Sequence, residues 1–161
     1  MEKKRIAVLL PGSYDPPTKG HLSLIERAAE EYETVFAVAF VNPTKTYAFT
    51  PEERVEMLRL MTEHLPSVTV GYAEGLVIDY ARAHGITLLI KGYRNDTDLA
   101  YEKVQADWNL ANGGLETRLL PAMNGEAAIS STAAKEALRT DGAENMLSEK
   151  VLEFIKKREK T

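Results

Sequence analysis

Short apolar runs alternate with amphipathic stretches along the 161 residues of this chain. Residues 5–10 read as a short buried strand, because I-A-V-L-L is a continuous apolar run. Leu22, Ile25, Ala29 and Tyr32 then repeat at helical spacing, with Glu26, Arg27, Glu30 and Glu31 on the other side. Residues 35–41, V-F-A-V-A-F-V, predict a second strand. Thr50-Pro-Glu-Glu53 is a capping box with proline at the first helical position, and the helix it starts places Val55, Leu58, Met61 and Leu65 on one face. Residues 68–72 predict a third strand. A short helix over 75–84, with Leu76, Val77, Tyr80 and Ala81 inward, stops at Gly85. Residues 86–90, I-T-L-L-I, predict a fourth strand. Asp96 or Asp98 can cap the next helix, where Tyr101, Val104, Trp108 and Ala111 share a face; Asn112-Gly113-Gly114 ends it. Residues 117–120 make a fifth strand. After a loop over 121–128, Ile129-Ser130-Ser131-Thr132 opens a further helix with hydroxyl caps. A last helix over about 148–158 buries Val151, Leu152 and Ile155.

Five alternations of strand and helix predict an α/β fold: a five-stranded parallel sheet with helices on both faces and right-handed crossovers. No repeat, linker or low-complexity segment divides the chain, so residues 1–161 are expected to form one domain. Ligands of such sheets bind beyond the carboxyl ends of the strands, which makes the loops on that edge informative.

The first of these loops, Pro11 to His21 (P-G-S-Y-D-P-P-T-K-G-H), joins the first strand to the first helix. Its glycines and prolines fix the backbone and leave amides accessible, and a helix start suits a phosphate. The plainer reading is a capped turn with an incidental histidine. The other loops shift the balance. Gly12, Ser13, Lys19 and His21 follow the first strand, Lys45 the second, Lys91 and Arg94 the fourth, and Ser130 and Ser131 sit at the last helix start. That convergence of cations and helix amides suits a polyphosphate, on a chain whose formal charge is −4 and pI about 5.5.

Composition removes several classes. The acidic balance gives no nucleic-acid footprint and no membrane-surface patch. The chain has no cysteine, which excludes disulfides, thiol nucleophiles and cysteine metal sites. No apolar run approaches the roughly 20 residues of a membrane span, and no leader-like segment follows Met1, so a cytoplasmic protein is expected. Neither G-x-x-x-x-G-K-[ST] nor G-x-G-x-x-G nor G-x-S-x-G occurs, against a P-loop enzyme, a dinucleotide dehydrogenase and an α/β-hydrolase. His21, His64 and His84 lack acidic neighbours at metal spacing; His64 and His84 read as structural or exposed, and no metal ligands are assigned.

Here the residues carry a resemblance. Thr18-Lys19-Gly20-His21 fits the [HT]-x-G-H signature of a nucleotidyltransferase superfamily, and the chain resembles its phosphopantetheine adenylyltransferases. Their P-G-[ST]-F-D-P stands as Pro11-Gly-Ser-Tyr-Asp-Pro16, their R-G-x-R as Lys91-Gly92-Tyr93-Arg94, their I-S-S-[ST] as Ile129 to Thr132, and their T-x-E-E-R as Thr50 to Arg54. The motifs come in family order over nearly the whole chain. The resemblance implies a Rossmann-like nucleotidyltransferase fold and transfer of the adenylyl group of ATP to 4′-phosphopantetheine, giving dephospho-CoA and pyrophosphate. It implies His21 as the catalytic residue. ATP would be bound by Ser13, Tyr14, His21, Gly92, Tyr93, Arg94, Glu102, Glu126, Ala127, Ala128, Ile129, Ser130, Ser131 and Thr132. The acceptor would be bound by Ser13, Lys45, Val77 and Lys91, with Leu76 beside the pantetheine arm. Magnesium carried with ATP, a homohexamer and feedback inhibition by coenzyme A are implied in the same way.

Plainer readings stand beside these. Lys45 reads also as a solvated loop lysine, Glu102 as an exposed helix residue, Leu76, Val77 and Trp108 as core, and Ser130 and Ser131 as caps alone. Lys91 stands where the family usually has arginine, giving a point charge in place of a fork. Tyr93 replaces a small or aliphatic residue, Ser13 a threonine, and no aromatic precedes Ile129. Two other functions compete: a sister nucleotidyltransferase acting on nicotinamide mononucleotide or glycerol phosphate, and a non-catalytic module that binds a nucleotide or CoA.

Overall fold

A computed structural model describes residues 2–123 and 125–160; Met1, Asn124 within the expected 121–128 loop, and Thr161 lie outside the described residues. The elements in chain order are β1 (Lys4–Gly12), α1 (Lys19–Glu31), β2 (Tyr32–Val41), α2 (Pro51–Met61), β3 (Val68–Glu74), α3 (Val77–Ala83), β4 (Leu88–Tyr93), α4 (Asp96–Gly113), β5 (Glu116–Pro121), α5 (Ser131–Arg139) and α6 (Glu149–Glu159), with a 3-10 turn over Ala143–Asn145. The strands form one five-stranded sheet in the order β3-β2-β1-β4-β5, and every neighbouring pair is parallel. The architecture is the expected one. Several elements run further than the pattern predicts: β4 continues through Lys91, Gly92 and Tyr93, and α1 starts at Lys19 rather than at Leu22.

Side-chain alternation along β1 sorts the core. Val8 and Leu10 face one way, packing with Ile25 and Ala28 of α1, Met57 and Leu58 of α2, Ala134 of α5, and Val151 and Ile155 of α6. Leu9 faces the other way, with Val38, Leu89, Leu115, and Ile78 and Ala81 of α3. Helices therefore cover both faces of the sheet.

Winding reverses between β1 and β4, and there the ladder is short. Their register is Val8↔Leu88 and Leu9↔Leu89. Beyond it β1 continues to Gly12 against β2, and β4 to Tyr93 against β5. The carboxyl ends of the central strands thus part, opening the crevice that parallel sheets place at such a reversal.

Three expectations about helix faces are corrected. In α2 the buried residues are Arg54, Met57, Leu58 and Met61, with Val55 only half-buried. In α3 the buried residues are Ile78 and Ala81, whereas Leu76 is exposed. The largest departure is α4. Its cap is Asn95, whose side chain accepts the Asp98 amide, and not Asp96 or Asp98. Tyr101, Val104, Trp108 and Ala111 are all exposed, and Glu102 is the buried residue of this helix. The less exposed positions Glu102, Ala106, Asn109 and Gly113 repeat at helical spacing, so α4 turns a polar and small-residue face inward. Gly113 makes the close approach to α3, since a Cβ there would sit 2.7 Å from the Ile78 side chain.

Candidate active site

The β1–α1 loop is fixed by its own side chains. Tyr14 takes a positive φ of 51° and its hydroxyl donates back to the Leu10 carbonyl at 2.7 Å; burial pushes that phenol well above its ordinary range. Buried Asp15 accepts the Ala48 and Phe49 amides at 2.9 Å each and meets the Lys135 ammonium at 3.5 Å. It therefore ties the loop after β2 to the loop after β1.

Thr18 caps α1, and His21 occupies the third helical position in a capping box. The Thr18 amide donates to His21 Nδ1 at 2.9 Å, while the Thr18 hydroxyl accepts the His21 amide at 3.4 Å. Histidine here takes the place that glutamate or glutamine usually holds in this motif. The bond also sets the tautomer. Nδ1 accepts, so in the neutral ring the proton sits on Nε2, which has no hydrogen-bond partner among the described residues. Burial, reinforced by the nearby charges of Lys91 and Arg94, lowers the ring to about 4. His21 is thus a neutral donor at physiological pH. Tyr14 meets its ring edge-on at a centroid distance of 4.8 Å.

Among the described residues, a pair of adjoining cavities opens at the carboxyl edge of the sheet. The first, of about 390 Å³, occupies the crevice between β1 and β4. Its lining includes Ser13, Tyr14, His21, Gly92, Tyr93, Arg94, Glu102, Glu126, Ile129, Ser130, Ser131 and Thr132. Ala127 and Ala128, expected beside them, are exposed and line neither cavity; the chain turns outward there before Ile129. The second cavity, of about 600 Å³, runs under α4, where that helix turns polar and small residues inward. Ser13, Lys45, Val77 and Lys91 all line it, as do Leu76, Phe40, Tyr101 and Trp108. The exposed Tyr101 and Trp108 are therefore rim residues of this cavity, in place of the core expected for Trp108.

Pro11, Gly12, Ser13, Lys91 and Glu102 belong to both linings and form the wall between the cavities. Lys91 Nζ lies 3.6 Å from Glu102 Oε1, and burial pushes the Glu102 carboxyl upward against the opposing pull of Lys91. Arg94 Nε lies 3.6 Å from Asp98, whose carboxylate also accepts the Arg94 amide at 3.1 Å.

Some side chains are already engaged. Ser130 Oγ accepts the Ala133 amide at 3.0 Å and Ser131 Oγ donates to the Pro16 carbonyl at 2.8 Å. Ser131 thus joins α5 to the β1–α1 loop, leaving its backbone amide for a ligand. Lys19 departs from the expected convergence: its ammonium donates to the Glu144 carbonyl at 2.8 Å, and it lines neither cavity. His64 pairs with Glu26 at 2.9 Å, and His84 stacks on Tyr80 with centroids 4.0 Å apart; neither lines a cavity described above.

Sequence reasoning missed Arg27, which lines the first cavity and donates to the Pro121 carbonyl at 3.0 Å. Gly20, Ser23, Leu24 and Arg27 recur at helical spacing on α1, and that phase, starting from the histidine motif, could have found it. Tyr47 and Asn42 of the second cavity were missed as well, having no motif of their own.

The cytidylyltransferase-like family matches residues 9–137, a span that holds the end of β1, His21, Lys91, Arg94 and the start of α5. The chain belongs to that family. As a cytidylyltransferase-like protein it is a nucleotidyltransferase, and the fold agrees. The structure of the Plasmodium falciparum nicotinic acid mononucleotide adenylyltransferase complexed with NaAD superposes with a TM-score of 0.67 at 12% sequence identity, covering 96% of each chain. In this cytidylyltransferase-like chain the crevice between β1 and β4 carries the neutral Nε2–H donor, the guanidinium of Arg94 and the amides that open α5, a set of donors fitted to a polyphosphate. No helix among the described residues is long and apolar enough to cross a membrane.

Proposed function

We propose that this nucleotidyltransferase is a phosphopantetheine adenylyltransferase: ATP occupies the crevice between β1 and β4, and 4′-phosphopantetheine the cavity under α4. The observation that carries the reading is the wall shared by the two cavities, where Ser13 and Lys91 face both. A phosphate of an acceptor held there would lie beside the α-phosphate of ATP. The second cavity suits the rest of that acceptor. Lys45 and Lys91 offer cations in its lining, and Phe40, Leu76, Val77 and Trp108 offer apolar surface to an arm.

In the reaction an oxygen of the acceptor phosphate attacks the α-phosphorus, forming a new P–O bond. The bond to the bridging oxygen breaks, and pyrophosphate leaves with that electron pair. The chain positions the two phosphates and stabilises charge on the group in transit. His21 donates from Nε2 to that group, and Arg94 neutralises the leaving phosphates. Lys91 and Lys45 hold the acceptor phosphate. Magnesium would arrive on ATP, held by phosphate oxygens and water, and would offset negative charge on the phosphates. Those donors suit a hard cation, and Asp98 and Glu102 are carboxylates of the same lining.

The test is pyrophosphate release with ATP, magnesium and 4′-phosphopantetheine, beside CTP and beside nicotinate mononucleotide, nicotinamide mononucleotide and glycerol phosphate as acceptors. Release that requires ATP and phosphopantetheine together is expected. Turnover on another pair would overturn the acceptor assignment, and tight nucleotide binding without release would point to a non-catalytic module. On the proposed reading the protein assembles as a hexamer and is inhibited by coenzyme A; light scattering and the same assay with added CoA check both. A cytoplasmic location belongs to this reading too.

A further inference from the structure

Arg54 is fully buried, yet among the described residues no carboxylate pairs with it. Its Nη1 donates to the Ser13 carbonyl at 3.0 Å, its Nε reaches the Thr50 carbonyl at 3.4 Å, and its guanidinium lies 4.1 Å from the centroid of the Tyr47 ring. Among the described residues its Nη2 has no hydrogen-bond partner. An arginine stays charged in a protein, and burying an uncompensated charge opposes folding. An apolar side chain of the same volume would serve packing better. The charge therefore needs an account other than packing.

Both residues that the guanidinium touches with its end, Ser13 and Tyr47, line the second cavity. Tyr47 also closes a tight loop. Its hydroxyl accepts the Asn42 amide at 2.9 Å, and the Asn42 carboxamide oxygen accepts the Thr44 amide at 3.0 Å. The Lys45 amide donates to the Asn42 carbonyl at 3.0 Å. Lys45 is carried on that loop.

We propose that Arg54 is a positioning residue for the phosphate end of the second cavity: one buried guanidinium ties the Ser13 carbonyl to the Tyr47 ring, and so fixes the loops that carry Ser13 and Lys45 relative to each other. Its uncompensated charge, behind the cavity wall in a medium of low dielectric, adds to the pull on an anion held there. This rests on the reading of that cavity as the acceptor site.

The test compares R54M, which keeps bulk without charge, with R54K and Y47L, reading kcat, both KM values and amide hydrogen exchange over residues 42–48. For R54M the KM for 4′-phosphopantetheine should rise about tenfold, the scale of one charge-assisted contact, while the KM for ATP stays within about twofold. R54K should recover part of the loss, and Y47L should shift the acceptor KM in the same direction as R54M. Exchange over 42–48 should quicken in R54M. Equal rises in both KM values, an unchanged acceptor KM with only a lower Tm, or R54K no better than R54M would overturn the proposal. If R54M does not fold, R54K and Y47L decide by the same split of KM values. If the unaltered protein turns over no acceptor, the functional reading fails separately. Exchange over 42–48 then decides for Arg54: faster in R54M (or in Y47L, should R54M not fold) supports it, and unchanged exchange removes it.

Discussion

Thr18 and His21 hold each other: the Thr18 amide donates to the imidazole Nδ1 at 2.9 Å, and the Thr18 hydroxyl receives the His21 amide at 3.4 Å. The signature histidine is thus part of the helix start. Because burial first, and then Lys91 and Arg94, bring its ring down to about 4 from 6.5, the folded state favours the neutral form. Its contribution to stability is complete above pH 6.5 and is lost as pH falls toward about 4. Thermal melts across that window should show the unaltered protein losing more Tm than H21Q, whose side chain does not titrate there. Parallel curves would mean that the ring is not held neutral by the fold.

The same contact predicts a double effect of H21A. Turnover should fall by about two to three orders of magnitude, the usual cost of one transition-state donor. Stability should fall by about 1 kcal/mol, the scale of a lost capping interaction. Steady-state kinetics beside urea denaturation separates the two, and near-normal turnover would remove His21 from the chemistry.

Lys91 faces both cavities and sits 3.6 Å from Glu102. K91R should be tolerated or improve acceptor binding, because the guanidinium fork suits a phosphate. A large rise in acceptor KM would show instead that the wall is shaped around a lysine.

Trp108 is 46% exposed and lines the second cavity. W108A should therefore leave Tm nearly unchanged, whereas truncating a buried tryptophan costs about 3–5 kcal/mol. The acceptor KM should rise several-fold and the ATP KM should not. A steep drop in Tm would return Trp108 to the core.

That last case marks where the sequence stopped being legible. Period and caps yield all five strands and their parallel order of connection, because I-A-V-L-L and V-F-A-V-A-F-V admit little else between helical patterns. In α4 the apolar positions do repeat at helical spacing, but Tyr101 and Trp108 stand at the rim of the second cavity, and the less exposed face is Glu102, Ala106 and Asn109. Cavity-lining residues were legible where a motif follows a strand, as at Ser13, His21, Lys91 and Arg94. Arg54 was visible only as one letter of T-x-E-E-R; its burial depends on the Ser13 carbonyl, a contact 41 positions away. Lys19 looked like a site cation until the Glu144 carbonyl was found to hold it.

The short ladder between β1 and β4 has a mechanical consequence. With a ladder register of Val8–Leu88 and Leu9–Leu89 among the described residues, the sheet is two ribbons, β3-β2-β1 and β4-β5, stitched at a seam. His21 follows the first ribbon, while Lys91 and Arg94 ride at the end of the second. On the proposed reading, a nucleotide that reached from the imidazole to the guanidinium would be a cross-tie over the seam, stiffening the two halves as it brought the reacting groups into line.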